Sequence, residues 1–370
     1  MRRPERFRST NLLVILAVAL ASAVPASAGT YAITDLGAPP GYEYGYGMAI
    51  SAQGDVVSVA LHAYEGENGN GILAYRSFLH RGSSVTEILT FPGDSVDVRG
   101  INDQGAVAGR LERLNGWSYP FVWRDGVTSV LDTPPGRTGA AFSINNAGQA
   151  VGVAEFPDDR FHAVLWEEDG SLMNLWTPDS YTAVATAIND AGYVVGWTQV
   201  QIATARAVLW RDGEVTVLPT EPNYLDAGAW DINEGGQVVG GAWPGGRGDA
   251  FVYHEGTLTA LLDLGGTGAC ARAINNAGQA VGWSDIPDGS HRAVLWSNGL
   301  VVDLNAFVPM GAGWELISAQ QINDAGQIVG TGWHDGALRG FLLTPVPEPS
   351  GLLLGLAAVV AAQRWRRVRG

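Results

Sequence analysis

The chain has 370 residues, 46% of them hydrophobic and only 16% charged, with 50 glycines and one cysteine. Lysine is absent. Eight of the 22 arginines and two of the 37 carboxylates lie in the terminal segments, so residues 29–345 carry 14 arginines against 35 carboxylates, a net of −21. A body that acidic repels nucleic acid and anionic membrane, a lone Cys270 excludes an internal disulfide, and so much glycine with so little charge suits tight turns between short strands better than long helices.

Residues 1–28 read as an export signal. "MRRPERFRST" is a basic leader, "NLLVILAVALASAV" an apolar core too short for a membrane span, and "ASA" at 26–28 the small-residue pattern cut by signal peptidase, here after Ala28. The next segment, "YAITDLG" at 31–37, reads as a single strand with no neighbour in sequence to pair with.

A nine-residue phrase then recurs. "INNAGQAVG" stands at 144–152 and again at 274–282, with near-copies opening at Ile101, Ile188, Ile232 and Ile322 and a weaker one, "ISAQGDVVS", at Ile50. Each copy parses as an extended run ending in Ile, an Asn-x-x-Gly turn, and a second strand. The Asn side chain is expected to bond its own backbone two residues on, and the Gly to supply a positive φ, as in a type I turn closed by a glycine bulge. The turn residues are Asn102 and Gly105, Asn145 and Gly148, Asn189 and Gly192, Asn233 and Gly236, Asn275 and Gly278, Asn323 and Gly326. A third strand follows in every copy, such as "HAVLW" at 162–166 or "RAVLW" at 206–210, then a short turn such as "RDG" and a fourth strand such as "EVTVLP".

A period in the forties with four strands per unit is that of a β-propeller blade. The seventh copy stops after "RGFLLTP" and lacks its fourth strand, which the orphan at 31–37 can supply. The expectation is an all-β, seven-bladed propeller over 29–345, closed by its N-terminal strand completing the last blade, so that no sheet edge is left at the seam.

Within the repeat, two residues before each Ile, stand Met48, Arg99, Phe142, Thr186, Trp230, Arg272 and Gln320, preceded always by a small residue or Val. A position that varies inside a repeated frame marks a possible ligand surface facing the channel or a loop face, so Arg99, Trp230 and Arg272 are the first ligand-binding candidates. Trp197 and Trp283, directly after the second-strand Gly, are further candidates for stacking on sugar rings, against the alternative of packing between sheets. Trp123, Trp166, Trp210 and Trp296 end third strands at matching positions and are read as core, as is Cys270.

No Gly-x-Ser-x-Gly elbow, HExxH, phosphate-binding loop or paired Cys-x-x-Cys occurs, the six histidines are scattered, and each repeat turn offers too few carboxylates for a calcium cage. No catalytic residue, metal site or cofactor is assigned.

The third-strand pattern His/Arg-Ala-Phe/Val-Leu-Trp together with the INxxGxxVG hairpin resembles the HAF family of extracellular repeats over nearly all of 31–344. The family's His is kept at His162 and replaced by Arg at Arg76, Arg206, Arg292 and Arg339. The resemblance implies an extracellular repeat protein and carries no defined chemistry.

The C-terminal segment 346–370 has Pro347-Glu348-Pro349, then twelve apolar residues at 351–362, then Arg364, Arg366, Arg367 and Arg369. This order resembles the PEP-CTERM sorting signal of Gram-negative bacteria, which implies recognition by an exosortase and delivery to the cell surface or the biofilm matrix. Twelve helical residues span about 18 Å, short of the ~30 Å hydrocarbon core, which suits transient membrane contact during processing.

Two functions fit this reading. One is an exported, non-enzymatic surface or extracellular-matrix protein that presents a rigid propeller for polysaccharide or protein binding. The other is a secreted propeller glycan hydrolase or lyase, which needs two carboxylates about 5–9 Å apart across the channel; Asp97 and Asp231 are the nearest candidates.

Overall fold

Every repeat hairpin does form, and the turn chemistry is as the spacing requires. In the third blade the Gly148 N–H donates to Asn145 O at 3.1 Å, the Asn145 N–H donates to Gln149 O at 3.0 Å, and Gly148 sits at φ +80°. That is a type I turn followed by a left-handed residue, a conformation that costs an L side chain and not Gly. In blades two, four, five and six the third and fourth strands are joined by two-residue turns such as Asp212-Gly213, both with positive φ (52° and 81°), whose twist matches that of the strands they join.

The computed structural model describes residues 31–37, 42, 44–65, 71–89, 94–175, 180–201, 204–220, 226–243 and 248–346. The segment read as a signal peptide, with the cleavage expected after Ala28, and the residues read as a sorting tail, Pro347, Glu348, Pro349, Arg364, Arg366 and Arg367, lie outside the described residues.

The described strands assemble into seven four-stranded sheets, the blades of a β-propeller. The innermost strands are Tyr44–Ile50, Ser95–Ile101, Gly139–Ile144, Thr182–Ile188, Asp226–Ile232, Ala269–Ile274 and Trp314–Ile322. In blades one to six the remaining strands follow outward in chain order. In the seventh, Trp314–Ile322, Ile328–His334 and Ala337–Pro345 are completed by Tyr31–Asp35, the expected orphan. The join is held by the Leu36 N–H donating to Gly340 O at 2.9 Å and by His334 Nδ1 lying 2.8 Å from Asp35 Oδ2. Leu36 also packs on the cluster of Ile50, Val56 and Val329, residues of the first and last blades. Blade one departs from the others in length, with its second and third strands, Val56–Glu65 and Gly71–Arg81, running 10 and 11 residues.

The apolar core lies between blades. Val57, Val59 and Leu79 of blade one meet Val96, Val98, Phe121 and Trp123 of blade two, and the same layer recurs where Ala106 and Ala108 meet Ala141, Val164 and Trp166. The third-strand tryptophans are core as read, with Trp166 fully buried and its Nε1 donating to Asp132 O at 2.7 Å. Fully burying one large apolar side chain contributes on the order of 1.5–3 kcal/mol, and each inter-blade layer holds several.

Candidate functional site

The channel down the propeller axis is lined by residues contributed equivalently by all seven blades, and two features of the repeat decide what it presents. The first is a β-bulge. In every innermost strand the register with the second strand skips a residue two positions before the repeat Ile, namely Met48, Arg99, Phe142, Thr186, Trp230, Arg272 and Gln320, and the seventh blade skips Ile317 as well. A bulged residue has no ladder partner and its side chain is re-aimed. All seven line one axial cavity of ≈ 300 Å³. The variable set of the sequence is therefore a ring of side chains around the axis.

The bulge also explains the last Gly of the repeat. Gly152 stands opposite Ala141, beside the bulge, where an added Cβ would run into Ala140 O; Gly196, Gly240, Gly282 and Gly330 meet the equivalent carbonyl in their own blades. Blade one has Ser58 at this place, bonded to His80 Nε2 at 2.7 Å.

The second feature is the turn. Each repeat Asn is buried and does more than close its own hairpin. Its Oδ1 accepts the backbone N–H four residues on, as Asn145 does from Gln149 at 2.9 Å; the bond two residues on that the spacing suggests forms only at Asn102 and Asn275. Its Nδ2 donates to the backbone carbonyl of the Asn in the next blade. The chain of bonds runs Asn102 to Asn145 (2.9 Å), Asn145 to Asn189 (3.1 Å), Asn189 to Asn233 (3.1 Å), Asn233 to Asn275 (3.0 Å), Asn275 to Asn323 (3.1 Å) and Asn323 to Ser51 (3.0 Å). Blade one has Ser51 in the Asn slot, so the seventh junction, Ser51 to Asn102, lacks this link.

A parallel ring runs through the residue after each Asn. Asn146 N–H donates to Asp190 Oδ1 (2.8 Å), Asp190 N–H to Glu234 Oε1 (2.9 Å), Glu234 N–H to Asn276 Oδ1 (2.9 Å) and Asn276 N–H to Asp324 Oδ1 (2.8 Å), while Asp103 serves Ala52 (2.8 Å). This carboxylate-and-amide rim frames the turn end of the cavity. Sequence reasoning missed it, although the signal was there: six of the seven copies carry Asp, Asn or Glu after the Asn.

Among the candidate ligand residues the structure brings Arg99, Trp230 and Arg272 to the cavity. The Arg272 guanidinium lies 5.0 Å from the centre of the Trp230 ring, and that of Arg99 5.7 Å from the Phe142 ring. Arg99 also donates from Nε (3.2 Å) and Nη2 (3.1 Å) to Asp97 Oδ2. Trp197 and Trp283 are not part of this constellation. They stand on second strands, half-buried, with Trp283 edge-on to His291 at 4.7 Å, and neither lines the cavity.

Nor are the two carboxylates weighed for glycan cleavage placed as a facing pair. Asp97 does not line the cavity and is engaged by Arg99 and Arg110. Asp231 does line it, but its Oδ1 accepts from the Ile232 N–H and its Oδ2 from the Ile274 N–H of the next blade, each at 2.9 Å. Burial pushes the Asp231 carboxyl up to about 7 in spite of those two bonds. Burial likewise pushes the Cys270 thiol up to about 11, so it stays a neutral thiol under ordinary conditions. Among the described residues no group of three or more His, Cys, Asp or Glu is arranged to hold a metal ion.

No protein-family model matches the chain, and no curated protein does. Among solved structures the chain is similar to the β-propeller domain of the trilobed protease from Pyrococcus furiosus, a propeller of open velcro topology, at 11% identity and TM-score 0.56 over 83% of this chain and 97% of that one. It is also similar to a puromycin hydrolase (13% identity, TM-score 0.54, 77% of this chain and 49% of that one) and to an acylaminoacyl peptidase (14% identity, TM-score 0.50, 85% and 54%). The chain spans about half the length of those two enzymes. At such identities the likeness is one of fold: this chain is a β-propeller.

Proposed function

We propose that the protein is an exported, non-enzymatic binding protein of the cell surface or extracellular matrix whose axial cavity recognises a saccharide group of an extracellular polysaccharide. In this reading signal peptidase cuts after Ala28, an exosortase processes the tail that begins at Pro347, and the membrane is touched only through that tail. The observation that carries the binding role is the bulge ring: the seven positions free to vary in an otherwise repeated frame converge on one cavity and supply two arginines, two aromatic rings, two polar side chains and one methionine. Small-molecule sites have this make-up, with apolar and aromatic walls and a few placed polar groups. The engaged states of Asp97 and Asp231 favour binding over glycan cleavage, because a hydrolase needs one free acid and one free base across the bond.

The test is a glycan-array screen of the full-length chain, with and without calcium. The reading predicts binding to at least one class of polysaccharide and no release of reducing ends from it. Absence of binding across the array, or cleavage of a bound glycan, would overturn it.

A further inference from the structure

The two ends of the axial cavity differ in chemistry. At the turn end stand Asp103, Asp190, Glu234 and Asp324, interleaved with Asn146 and Asn276. Their Oδ1 or Oε1 atoms are taken by backbone N–H groups of the neighbouring blade, and Asn146 and Asn276 bridge several of the second oxygens, with Asn146 Nδ2 donating to Asp103 Oδ2 (2.9 Å) and Asp190 Oδ2 (2.8 Å). Carboxylate oxygens keep further acceptor capacity after two such bonds. This end therefore repels a bare anion and accepts hydroxyl donors.

Four residues earlier in each blade lies the bulge ring with the cavity's two cationic side chains. Arg99 belongs to blade two and Arg272 to blade six, three blades apart around the ring, and each rests against an aromatic ring of the neighbouring blade, Phe142 of blade three or Trp230 of blade five. Arg99 spends two of its five N–H donors on Asp97, and its side chain is half-exposed. Arg272 forms no ion pair among the described residues, and its Nε is buried without a hydrogen-bond partner. The neighbouring Asp231 makes no ion pair with it; both Asp231 oxygens accept from backbone N–H groups. A buried guanidinium N–H with no acceptor is unfavourable unless a ligand completes it, and a guanidinium backed by an aromatic ring presents a flat, bidentate edge to a carboxylate.

We propose that the axial cavity takes a polyhydroxylated carboxylate, a single uronate unit such as the end of an otherwise neutral glycan. Its carboxylate lies against Arg272 and Arg99, its ring against Trp230, and its hydroxyls donate to the acidic rim. A cavity of ≈ 300 Å³ is at the small end of ligand pockets, the size for one sugar residue and not for a threaded chain. This inference rests on the saccharide-binding reading above and narrows it to one ligand chemistry.

The experiment is calorimetric titration of the full-length chain with D-glucuronate, D-glucose and inorganic phosphate, followed by an oligosaccharide ending in glucuronate and its carboxyl-reduced counterpart. Glucuronate is expected to bind at least tenfold more tightly than glucose, which lacks the carboxylate, and than phosphate, which lacks the hydroxyl array facing the rim. Arg272→Gln is expected to lose at least tenfold in glucuronate affinity while glucose is unaffected, with Arg99→Gln as the second variant should the first fail to fold. Equal affinity of the free sugar and the oligosaccharide assigns the monomer as ligand, and a tenfold preference for the oligosaccharide assigns a chain end; both sustain the proposal. Equal binding of glucuronate and glucose, or no binding of any uronate probe, overturns it. If neutral glycans bind on the array while uronates do not, only the carboxylate assignment falls. If nothing on the array binds, the saccharide reading falls with it.

Discussion

The turn layer and the bulge layer of the hub are carried by the same seven innermost strands, a few residues apart, yet one is repeated and the other is not. In the turn layer every Asn is buried, accepts a hydrogen bond within its own hairpin and donates one to the next blade. A substitution there breaks two blades at once, which is a physical reason for writing the same residue six times. In the bulge layer the residue has left the ladder, so its side chain faces the axis and any size or charge that fits the cavity is compatible with the fold. The comparison teaches a division of labour: the turn layer joins the blades, and the bulge layer presents the surface.

Breaking the repeated layer has the largest expected effect. Asn189→Ala removes the donor to Asn233 O and the acceptor of the Tyr193 N–H, leaving a backbone donor unmet at a buried junction. Destabilisation of roughly 3–4 kcal/mol is expected, measured as the shift in the denaturant midpoint with an unchanged slope. A loss below about 1 kcal/mol would mean that the ring of amides describes the junctions without holding them.

Asp231 sharpens the comparison, since it stands directly after a bulge residue and also bonds across a blade junction. Its carboxyl is raised from 3.8 in the unfolded chain to about 7 by burial. The folded state therefore binds this proton more tightly than the unfolded state, the stabilisation is fully present below about pH 4, and it is lost as pH rises through about 7. At about 1.4 kcal/mol per pKa unit, the loss across that window is on the order of 4 kcal/mol. Asp231→Asn should flatten this part of the stability–pH profile, whatever its own absolute stability. An identical fall between pH 4 and 7 in the variant would assign the titration to other groups.

The smallest effect is a gain. Asn102 O accepts the Gly105 N–H at 3.0 Å but has no side-chain donor from blade one, where Ser51 replaces Asn. Ser51→Asn should close the amide ring and stabilise the protein by about 0.5–1.5 kcal/mol. A destabilised variant would show that the seam needs the smaller residue.

How much of this was legible follows from the same two layers. The repeat period, the Asn-x-x-Gly turn and the orphan strand at 31–37 carried the seven blades and their closure, because turn residues and strand counts are written locally. The variable ring was legible as a set, since its members occupy one slot in the repeat, and three of the candidate ligand residues do line the axis. The bulge that turns them inward was not, because a skipped pairing is a property of two strands and shows in one sequence only as the unexplained second Gly, such as Gly152. The inter-blade bonds of the Asn side chains were hidden for a related reason: their partners lie about 44 residues away, as Asn145 and Asn189 do. Trp197 and Trp283 were selected by their place beside that Gly, but they lie on the second strand, one step out from the axis, and neither lines the cavity.

The most direct test of the division between the two layers is to measure, side by side on the full-length chain, the unfolding midpoint and the glucuronate affinity of Arg272→Gln and Asn189→Ala. The account predicts that Arg272→Gln keeps its stability within about 1 kcal/mol and loses at least tenfold in affinity, about 1.4 kcal/mol of binding, whereas Asn189→Ala loses stability by several times that amount. An Arg272→Gln protein as destabilised as Asn189→Ala, with its affinity intact, would contradict it.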